Sequence, residues 1–180
     1  MAILEILKYP NPVLARVAAP IKNITAETVQ LLRDMLETMY AAPGVGLAAP
    51  QVGHPQRIIV LDIDHENPGK QVYKLINPVI TRVEGEVIWE EGCLSVVDFT
   101  AEVRRAAQVE VVATDEQEKE VRVAAEGLLA VALQHEIDHL DGKLFIDRIS
   151  RLKRDLYRRR RTKMLRDGTE PQNEHSPAMI

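Results

Sequence analysis

The spacing of hydrophobic residues predicts three helices along the chain. The first covers residues 25–40, with Thr25 as the cap and a core-facing stripe at helical spacing. The second covers residues 127–141 and is hydrophobic on nearly every side, so we expect it to be buried. The third covers residues 150–166 and is strongly basic. The stripe of the first helix comprises Val29, Leu32, Leu36 and Met39.

Strand-like hydrophobic runs lie between the first two helices. They cover residues 57–61, 72–76, 87–89, 109–113 and 121–124, and the polar stretch 115–119 predicts a hairpin between the last two. Because the strands cluster between helices without regular alternation, the pattern predicts an α+β fold with mostly antiparallel sheets. We expect these sheets to pack around the buried second helix, which lies between an N-terminal helix and a basic C-terminal helix.

The second predicted helix contains an H-E-x-x-H motif. Two histidines four residues apart, His135 and His139, lie about 40° apart around a helix, so both rings can bind one metal ion. Glu136 lies roughly 80° from their midline, where it can reach a water on the metal without being a ligand. A chance motif on a solvated helix is the alternative. The hydrophobic flanks weaken that alternative, because buried histidines and carboxylates are costly unless they are paired or metal-bound.

A catalytic metal of this kind needs a third protein ligand and an open position for water. The metzincin pattern would place a histidine where this chain has Phe145, and the basic stretch 155–161 contains no glutamate. We therefore expect the third ligand upstream, where Cys93 is the candidate. A lone cysteine is more often a small buried hydrophobic residue. Cys93, however, follows a glycine after a strand-like run, where a thiolate can project freely.

Three motifs together give the chain a close resemblance to the bacterial peptide deformylases of the polypeptide deformylase family. Each motif is moderately specific, and all three in this order are highly specific. The likeness extends from the N-terminus to about residue 163. The motifs are Gly44-Val45-Gly46-Leu47-Ala48-Ala49-Pro50-Gln51, Glu91-Gly92-Cys93-Leu94-Ser95 and Gln134-His135-Glu136-Ile137-Asp138-His139-Leu140-Asp141-Gly142.

The resemblance implies a metal-dependent hydrolase that removes the N-formyl group from the N-terminal formyl-methionine of newly synthesised polypeptides and releases formate. A formamide is a poor electrophile, and a metal makes hydroxide available near neutral pH by lowering the pKa of a bound water. Glu136 would act as general acid/base, while Gln51 and the backbone N–H of Leu94 would form the oxyanion hole. The metal ligands implied by the resemblance are Cys93, His135 and His139.

Residues around the motifs are candidates for binding the substrate. The two glycines of the first motif would let backbone approach a peptide closely. Positions three, four and seven residues before His135 lie on the ligand face of the helix, where they would line a methionine pocket or serve simply as core. The resemblance adds further pocket walls. The full candidate set is Gly44, Val45, Gly46, Trp89, Gly92, Leu128, Val131 and Ala132.

Two features near these motifs stay open at the level of sequence. Asp138 is expected either to pair with Arg104 or Arg105, or to support a ligand histidine. Val97 stands where many family members have proline, and Thr100 where many have a basic residue. The segment 97–102 would contact residues after the methionine, so the preference for those residues stays open.

Length and composition narrow the remaining choices. At 180 residues we expect one domain, with residues 1–166 catalytic and residues 167–180 a polar, disordered tail in which His175 is a bystander. One cysteine excludes a disulfide framework. The first ten residues, interrupted by Glu5 and Lys8, do not resemble a signal or transit peptide. No hydrophobic run approaches the roughly 18 residues of a membrane span. We therefore expect a cytoplasmic protein without a membrane partner.

The net charge of −4 is unevenly distributed. Residues 1–147 carry 13 basic and 23 acidic side chains, giving −10, whereas residues 148–180 carry 10 basic and 4 acidic ones, giving +6. The positive charge is concentrated from Arg151 to Arg166. A solvated helix face is the usual explanation. Because basic helices also bind RNA phosphates, docking at the ribosome is a second hypothesis; no DNA partner is expected.

The metal and two other functions stay open. The resemblance favours one Fe²⁺ per chain, although a mixed sulfur and nitrogen set also suits Zn²⁺, Ni²⁺ or Co²⁺. One alternative function is an H-E-x-x-H metallopeptidase, which the missing downstream ligand weakens. The other is a non-catalytic ribosome-binding protein with a structural metal. The presence of Glu136 and Gln51 argues against it, because a structural site needs neither.

Overall fold

The computed structural model describes residues 2–64 and 67–169. Residues 170–180, which include His175 and most of the tail predicted to be disordered, therefore lie outside the described residues. Within the described part the helices are α1 (Ala26–Ala41), α2 (Gly127–Leu140) and α3 (Arg151–Asp167). The strands are β1 (Gly46–Ala48), β2 (Ile58–Asp62), β3 (Val72–Glu84), β4 (Val87–Cys93), β5 (Val96–Arg105), β6 (Gln108–Thr114) and β7 (Glu120–Glu126).

The strands form two antiparallel sheets. Five of them lie in the order β1-β2-β3-β6-β7, and β4 pairs with β5 in a separate two-stranded sheet. The predicted α+β class is confirmed, and so is the hairpin between β6 and β7. Two strands, β1 and β5, were not predicted, and β3 continues well beyond the predicted end at residue 76.

Strand β2 is buried on both faces because a helix packs on each side of it. Ile59 and Leu61 belong to the cluster that includes α2, whereas Ile58 and Val60 belong to the cluster that includes α1. Alternate residues of a strand point to opposite faces of the sheet, so this division follows from the strand itself. The helix with the H-E-x-x-H motif thus lies against one face of the five-stranded sheet.

The buried face of α1 differs slightly from the predicted stripe. Leu32 and Met39 are fully buried as predicted, but Val29 and Leu36 are only partly buried. Leu31 and Met35 complete the buried face instead. The stripe is therefore rotated toward positions 31 and 35, where the helix meets β2 and the segment that follows β1.

Helix α2 ends at a glycine that the fold requires. Gly142 has a φ of +69°, in the left-handed region that glycine adopts readily. A Cβ at this position would lie 2.7 Å from the carbonyl oxygen of Ala15, so a side chain does not fit. The close approach holds the C-terminal end of α2 against the N-terminal part of the chain, which also donates from the Ala18 N–H to the Leu140 carbonyl.

Helix α3 lies beside the two-stranded sheet. A third hydrophobic cluster joins this sheet, the segment after α2 and Tyr157 of α3. Ser150, the predicted first residue, is the N-cap, and the helix ends at Asp167, one residue later than expected. No helix in the part of the chain that the structure describes is long and apolar enough to cross a membrane.

Candidate active site

Strand β4 and helix α2 bring the three predicted metal ligands together. One donor atom from each of Cys93, His135 and His139 lies within 4.8 Å of the other two. Cys93 Sγ is 3.3 Å from His139 Nε2. All three side chains are buried, with exposed fractions of 1–2%. Phe145, at the position where the metzincin pattern would have a histidine, instead stacks on the ring of His135 with centroids 6.1 Å apart.

The buried polar atoms of the site fit a bound cation and its water. Among the described residues, His135 Nε2 and both carboxylate oxygens of Glu136 have no hydrogen-bond partner. Leaving such groups buried and unpaired is costly. One sulfur and two imidazole nitrogens form a donor set typical of a three-ligand catalytic site for a transition metal.

Burial shifts the protonation of the ligands. Burial raises the pKa of Cys93 to about 12, so without a cation the thiol holds its proton. Burial, reinforced by the neighbouring His135, holds the pKa of His139 well below its usual value. His139 is therefore neutral, with a free lone pair on one ring nitrogen. A cation held by Cys93 would displace the thiol proton, because only the thiolate is a strong ligand.

Glu91 contacts the ring of His135 through Nδ1, the nitrogen opposite the one that faces the site. His135 Nδ1 lies 2.8 Å from a Glu91 carboxylate oxygen, and the two side chains are almost completely buried. A hydrogen bond from Nδ1–H leaves Nε2 with its lone pair directed into the site. This role was not predicted from the sequence, although Glu91 opens the second motif and lies two residues before Cys93 on the same strand. A carboxylate at that spacing points to the same side of β4 as the sulfur.

Arg105 joins Glu91 to Asp138. Its guanidinium donates to both oxygens of Glu91, at 2.6 and 2.8 Å, and to Asp138 at 2.6 Å. Arg148 approaches Asp138 from the other side, with Nη2 to Oδ1 at 2.5 Å. Of the two arginines considered for Asp138, the partner is Arg105. Arg104 is exposed and pairs with Glu86 instead.

The arginines keep both buried carboxylates ionised. Burial alone would raise the pKa of Glu91, but hydrogen bonds from Arg105 and His135 outweigh it and lower the pKa. The pKa of Asp138 is likewise lowered, because Arg148 and Arg105 outweigh burial. The alternating charges of Glu91, Arg105, Asp138 and Arg148, named here the charge ladder, lead from His135 to the protein surface.

Glu136 lies against the backbone of the first motif. A Cβ at Gly46 would be 2.4 Å from Glu136 Oε1, so only glycine leaves room for the carboxylate. Burial, with the negative charge of Glu91 nearby, raises the pKa of Glu136 well above its usual value. A raised pKa makes a carboxylate a stronger base, which suits a group that accepts a proton and later returns it. The predicted contact of Gly46 with a peptide stays a prediction, and its contact with Glu136 is an additional constraint.

Gln51 is held so that its amide N–H points toward the cluster. Its Oε1 accepts from the Ala48 N–H at 2.8 Å, which fixes the orientation of the amide. Nε2 then lies 3.2 Å from Ser95 Oγ and 3.5 Å from Cys93 Sγ. Leu94, the other predicted oxyanion donor, lies between Cys93 and Ser95 in the same turn. Both predicted donors are therefore next to the sulfur.

The predicted substrate-binding residues other than Gly46 fall into three groups. Val131 and Ala132 of α2 have no exposed surface and contribute to the main core, as does Val45. Trp89 and Leu128 keep partial exposure at the edge of that core. Gly44 and Gly92 are buried beside the motifs. A surface groove of about 300 Å³ between β3, β6 and β7 includes none of the site residues.

Known proteins resemble this chain along most of its length. The sequence model of the polypeptide deformylase family matches residues 3–155. A peptide deformylase from Syntrophobacter fumaroxidans is 48% identical over 94% of this chain and 99% of its own length. One from Rhizobium meliloti is 52% identical over 91% of this chain and 94% of its own. The crystal structure of a peptide deformylase from Legionella pneumophila superposes with a TM-score of 0.87 at 44% identity, covering 94% of this chain and 100% of that one. The chain belongs to the polypeptide deformylase family.

Proposed function

We propose that this protein hydrolyses the N-formyl group of formyl-methionine at the N-terminus of new polypeptides, with Cys93, His135 and His139 holding one divalent metal. The observation that carries the proposal is the unpaired Glu136 carboxylate, fully buried beside the ligand cluster. A structural metal site has no use for such a group, whereas hydrolysis needs a base at that place. Membership of the polypeptide deformylase family supports the choice of substrate.

The protein residues supply proton transfer and charge stabilisation. When bound, the metal supplies the positive charge that lowers the pKa of a water molecule. Glu136 takes a proton from the water that attacks the formyl carbon. It then delivers that proton to the amine nitrogen as the carbon–nitrogen bond breaks, so that formate and a free α-amine leave. The Gln51 amide and the Leu94 N–H donate to the formyl oxygen as negative charge develops on it.

The test is formate release from a formyl-Met peptide by protein purified without oxygen, with metal content measured on the same sample. We expect wild-type activity at about one metal per chain. Glu136→Ala should abolish most activity and keep the metal, because Glu136 is not a ligand. Cys93→Ser should lose metal and activity together. Metal-loaded wild type that releases no formate would overturn the proposal.

The identity of the metal is the second element of the proposal. A sulfur and two nitrogens accept Fe²⁺, Zn²⁺, Ni²⁺ and Co²⁺. We propose Fe²⁺ in the cell. Protein isolated without oxygen should then contain iron and lose activity on exposure to air, while a zinc- or nickel-loaded sample should not. Air-stable activity in the isolated protein, with zinc as the bound metal, would contradict the choice of iron.

A known small molecule offers a check that does not depend on turnover. Two similar solved structures, of peptide deformylases from Ehrlichia chaffeensis and Synechococcus elongatus, are complexes with actinonin. We expect metal-loaded wild type to bind actinonin and the metal-stripped protein to bind it much more weakly. Calorimetry on both samples measures the difference, and equal affinity would count against a ligand site built on the metal.

Helix α3 is proposed as a docking surface for ribosomal RNA phosphates. Lys153, Arg159 and Lys163 are exposed, whereas Arg161 is buried and donates to the Tyr9 carbonyl. Arg160 is engaged with Asp98 on β5. The exposed cations, rather than the full basic stretch, are therefore available to a polyanion.

Cosedimentation with ribosomes tests the docking. We expect the double variant Arg159→Glu/Lys163→Glu to lose binding that the wild type shows at low salt. Lys22→Glu/Lys70→Glu, which changes the net charge equally at exposed positions away from α3, is the control. Equal binding by the two double variants would remove the docking role without affecting the proposed hydrolysis.

A further inference from the structure

The N-terminal segment, residues 7–9, contacts both loops that carry the proposed oxyanion donors. The backbone N–H of Leu7 donates to the Gln51 carbonyl at 2.7 Å, and that of Tyr9 donates to the Ser95 carbonyl at 2.8 Å. These residues belong to none of the three sequence motifs. Lys8, which lies between these two residues, contacts the turn that follows Cys93 through its side chain.

The Lys8 ammonium binds the peptide group that joins Leu94 to Ser95. Its Nζ donates to the Leu94 carbonyl oxygen at 2.5 Å. Because a trans peptide is planar, the C=O and N–H of one group point in opposite directions. The N–H of this group is that of Ser95, and it donates to Cys93 Sγ at 3.4 Å. A single peptide group therefore lies between a cation and the sulfur.

We propose that Lys8 is a positioning residue, which orients and polarises the Leu94–Ser95 peptide so that the Ser95 N–H is held on the Cys93 sulfur. The inference rests on the proposed metal site. A charged donor forms a hydrogen bond roughly twice as strong as a neutral one. Hydrogen bonds in a chain also strengthen one another. The Ser95 N–H thus draws more electron density from the sulfur than it would without Lys8.

The contact has two consequences for the site. The Cys93 sulfur donates less electron density to a bound metal, and the turn at Leu94 and Ser95 is held in one orientation. Hydrogen bonds to a metal ligand tune the metal that the ligand binds. A sulfur that gives up less charge leaves more positive charge on the metal. The same contact fixes the plane of the peptide directly after the Leu94 N–H, which is one of the two proposed oxyanion donors.

Spectroscopy of the cobalt-loaded protein tests the contact directly. Lys8→Met keeps most of the hydrophobic stem and removes the cation. We expect the sulfur-to-cobalt charge-transfer band to move to longer wavelength in Lys8→Met, because the sulfur electrons are held less tightly. Lys8→Arg, which retains a cationic donor, should restore the wild-type band. Lys22→Met, which removes an equal charge from an exposed position, is the matched control.

Steady-state kinetics give the second measurement. In Lys8→Met we expect kcat to fall roughly tenfold, with KM within about twofold, because one charged hydrogen bond is lost next to the reacting group. A band and a kcat equal to those of Lys22→Met would overturn the proposal. So would a lower kcat and a lower unfolding temperature with an unmoved band, which together indicate a structural role only.

The test separates this inference from the proposed function. Wild-type protein that releases no formate would refute the proposed reaction. The position of the cobalt band in Lys8→Met would still decide whether Lys8 acts on the sulfur.

Discussion

The sharpest prediction concerns Gly46, whose missing side chain leaves room for the Glu136 carboxylate. In Gly46→Ala the new Cβ would lie 2.4 Å from Oε1 and 2.9 Å from both Cδ and Cγ of Glu136. Ordinary contact begins at 3.4 Å, so the carboxylate must move by about 1 Å. Glu136 is fully buried against the core, and close-packed surroundings resist such a displacement.

A displacement of this size should reduce activity strongly. Misplacing a catalytic group by about 1 Å costs on the order of 100-fold in rate. We therefore expect kcat for formyl-Met peptide to fall roughly 100-fold in Gly46→Ala, with metal content unchanged. Gly44→Ala is the comparison. Its Cβ would meet the flexible end of the Leu94 side chain at 2.8 Å, so we expect a smaller loss.

A double-mutant cycle shows whether the loss acts through Glu136. If Gly46→Ala works by displacing the carboxylate, it should have almost no further effect on the residual rate of Glu136→Ala. The reasoning is refuted if the two losses multiply, because Gly46 would then act on the substrate or the metal independently. It is refuted equally by Gly46→Ala protein with wild-type kcat.

Three further predictions concern the charge ladder. Glu91→Gln should weaken metal affinity by about 10- to 100-fold in chelator competition, since a neutral amide orients His135 less firmly; affinity no lower than that of the exposed control Glu90→Gln would contradict this. Arg105→Met should lower the free energy of unfolding, measured in urea, by about 3–5 kcal/mol, because it leaves two buried carboxylates without their shared cation. A loss under about 1 kcal/mol would show that Arg148 and solvent compensate for the missing charge. The pKa of Asp138 is lowered in the folded protein, so ionised Asp138 contributes to the free energy of unfolding. This contribution is fully present above the unfolded-state pKa, near 4, and is lost as the pH falls through the folded-state pKa. Metal-free Asp138→Asn should therefore lose less stability on acidification than metal-free wild type, and parallel curves would rule this out.

Local signals were sufficient for the helices and for the two histidines of the candidate site. All three helices begin and end within one or two residues of their predicted bounds, because caps and glycines mark those ends. The two predicted ligand histidines, His135 and His139, share one helix face, so their proximity follows from helical geometry alone. Cys93 was a candidate because no downstream ligand is present and because it follows a strand-like run, and the family resemblance then implied the same ligand. Its position beside the histidines is set by the tertiary fold, since β4 is far from α2 in sequence.

Other features left little trace in the local pattern. Strand β3 continues through Asn77 and Pro78, residues typical of turns, by means of two register shifts against β6. Strand β5 alternates exposed polar and buried hydrophobic residues only weakly at its start, where Asp98 has a positive φ. The charge ladder and the Lys8 contact join residues that are 10 to 86 positions apart. Such pairs depend on the tertiary fold and not on any periodicity.

The charge ladder has a consequence for how this sequence can diverge. Its four side chains alternate in sign and sum to zero, and each of the inner ones is bound on both sides. Replacing any one of them leaves a neighbour's charge uncompensated in the interior, so drift through single changes is blocked. Replacing all four with hydrophobic residues would restore neutrality but leave His135 Nδ1 without an acceptor. The four positions should therefore be inherited as one unit, because His135 needs a polar partner and so rules out a purely hydrophobic replacement.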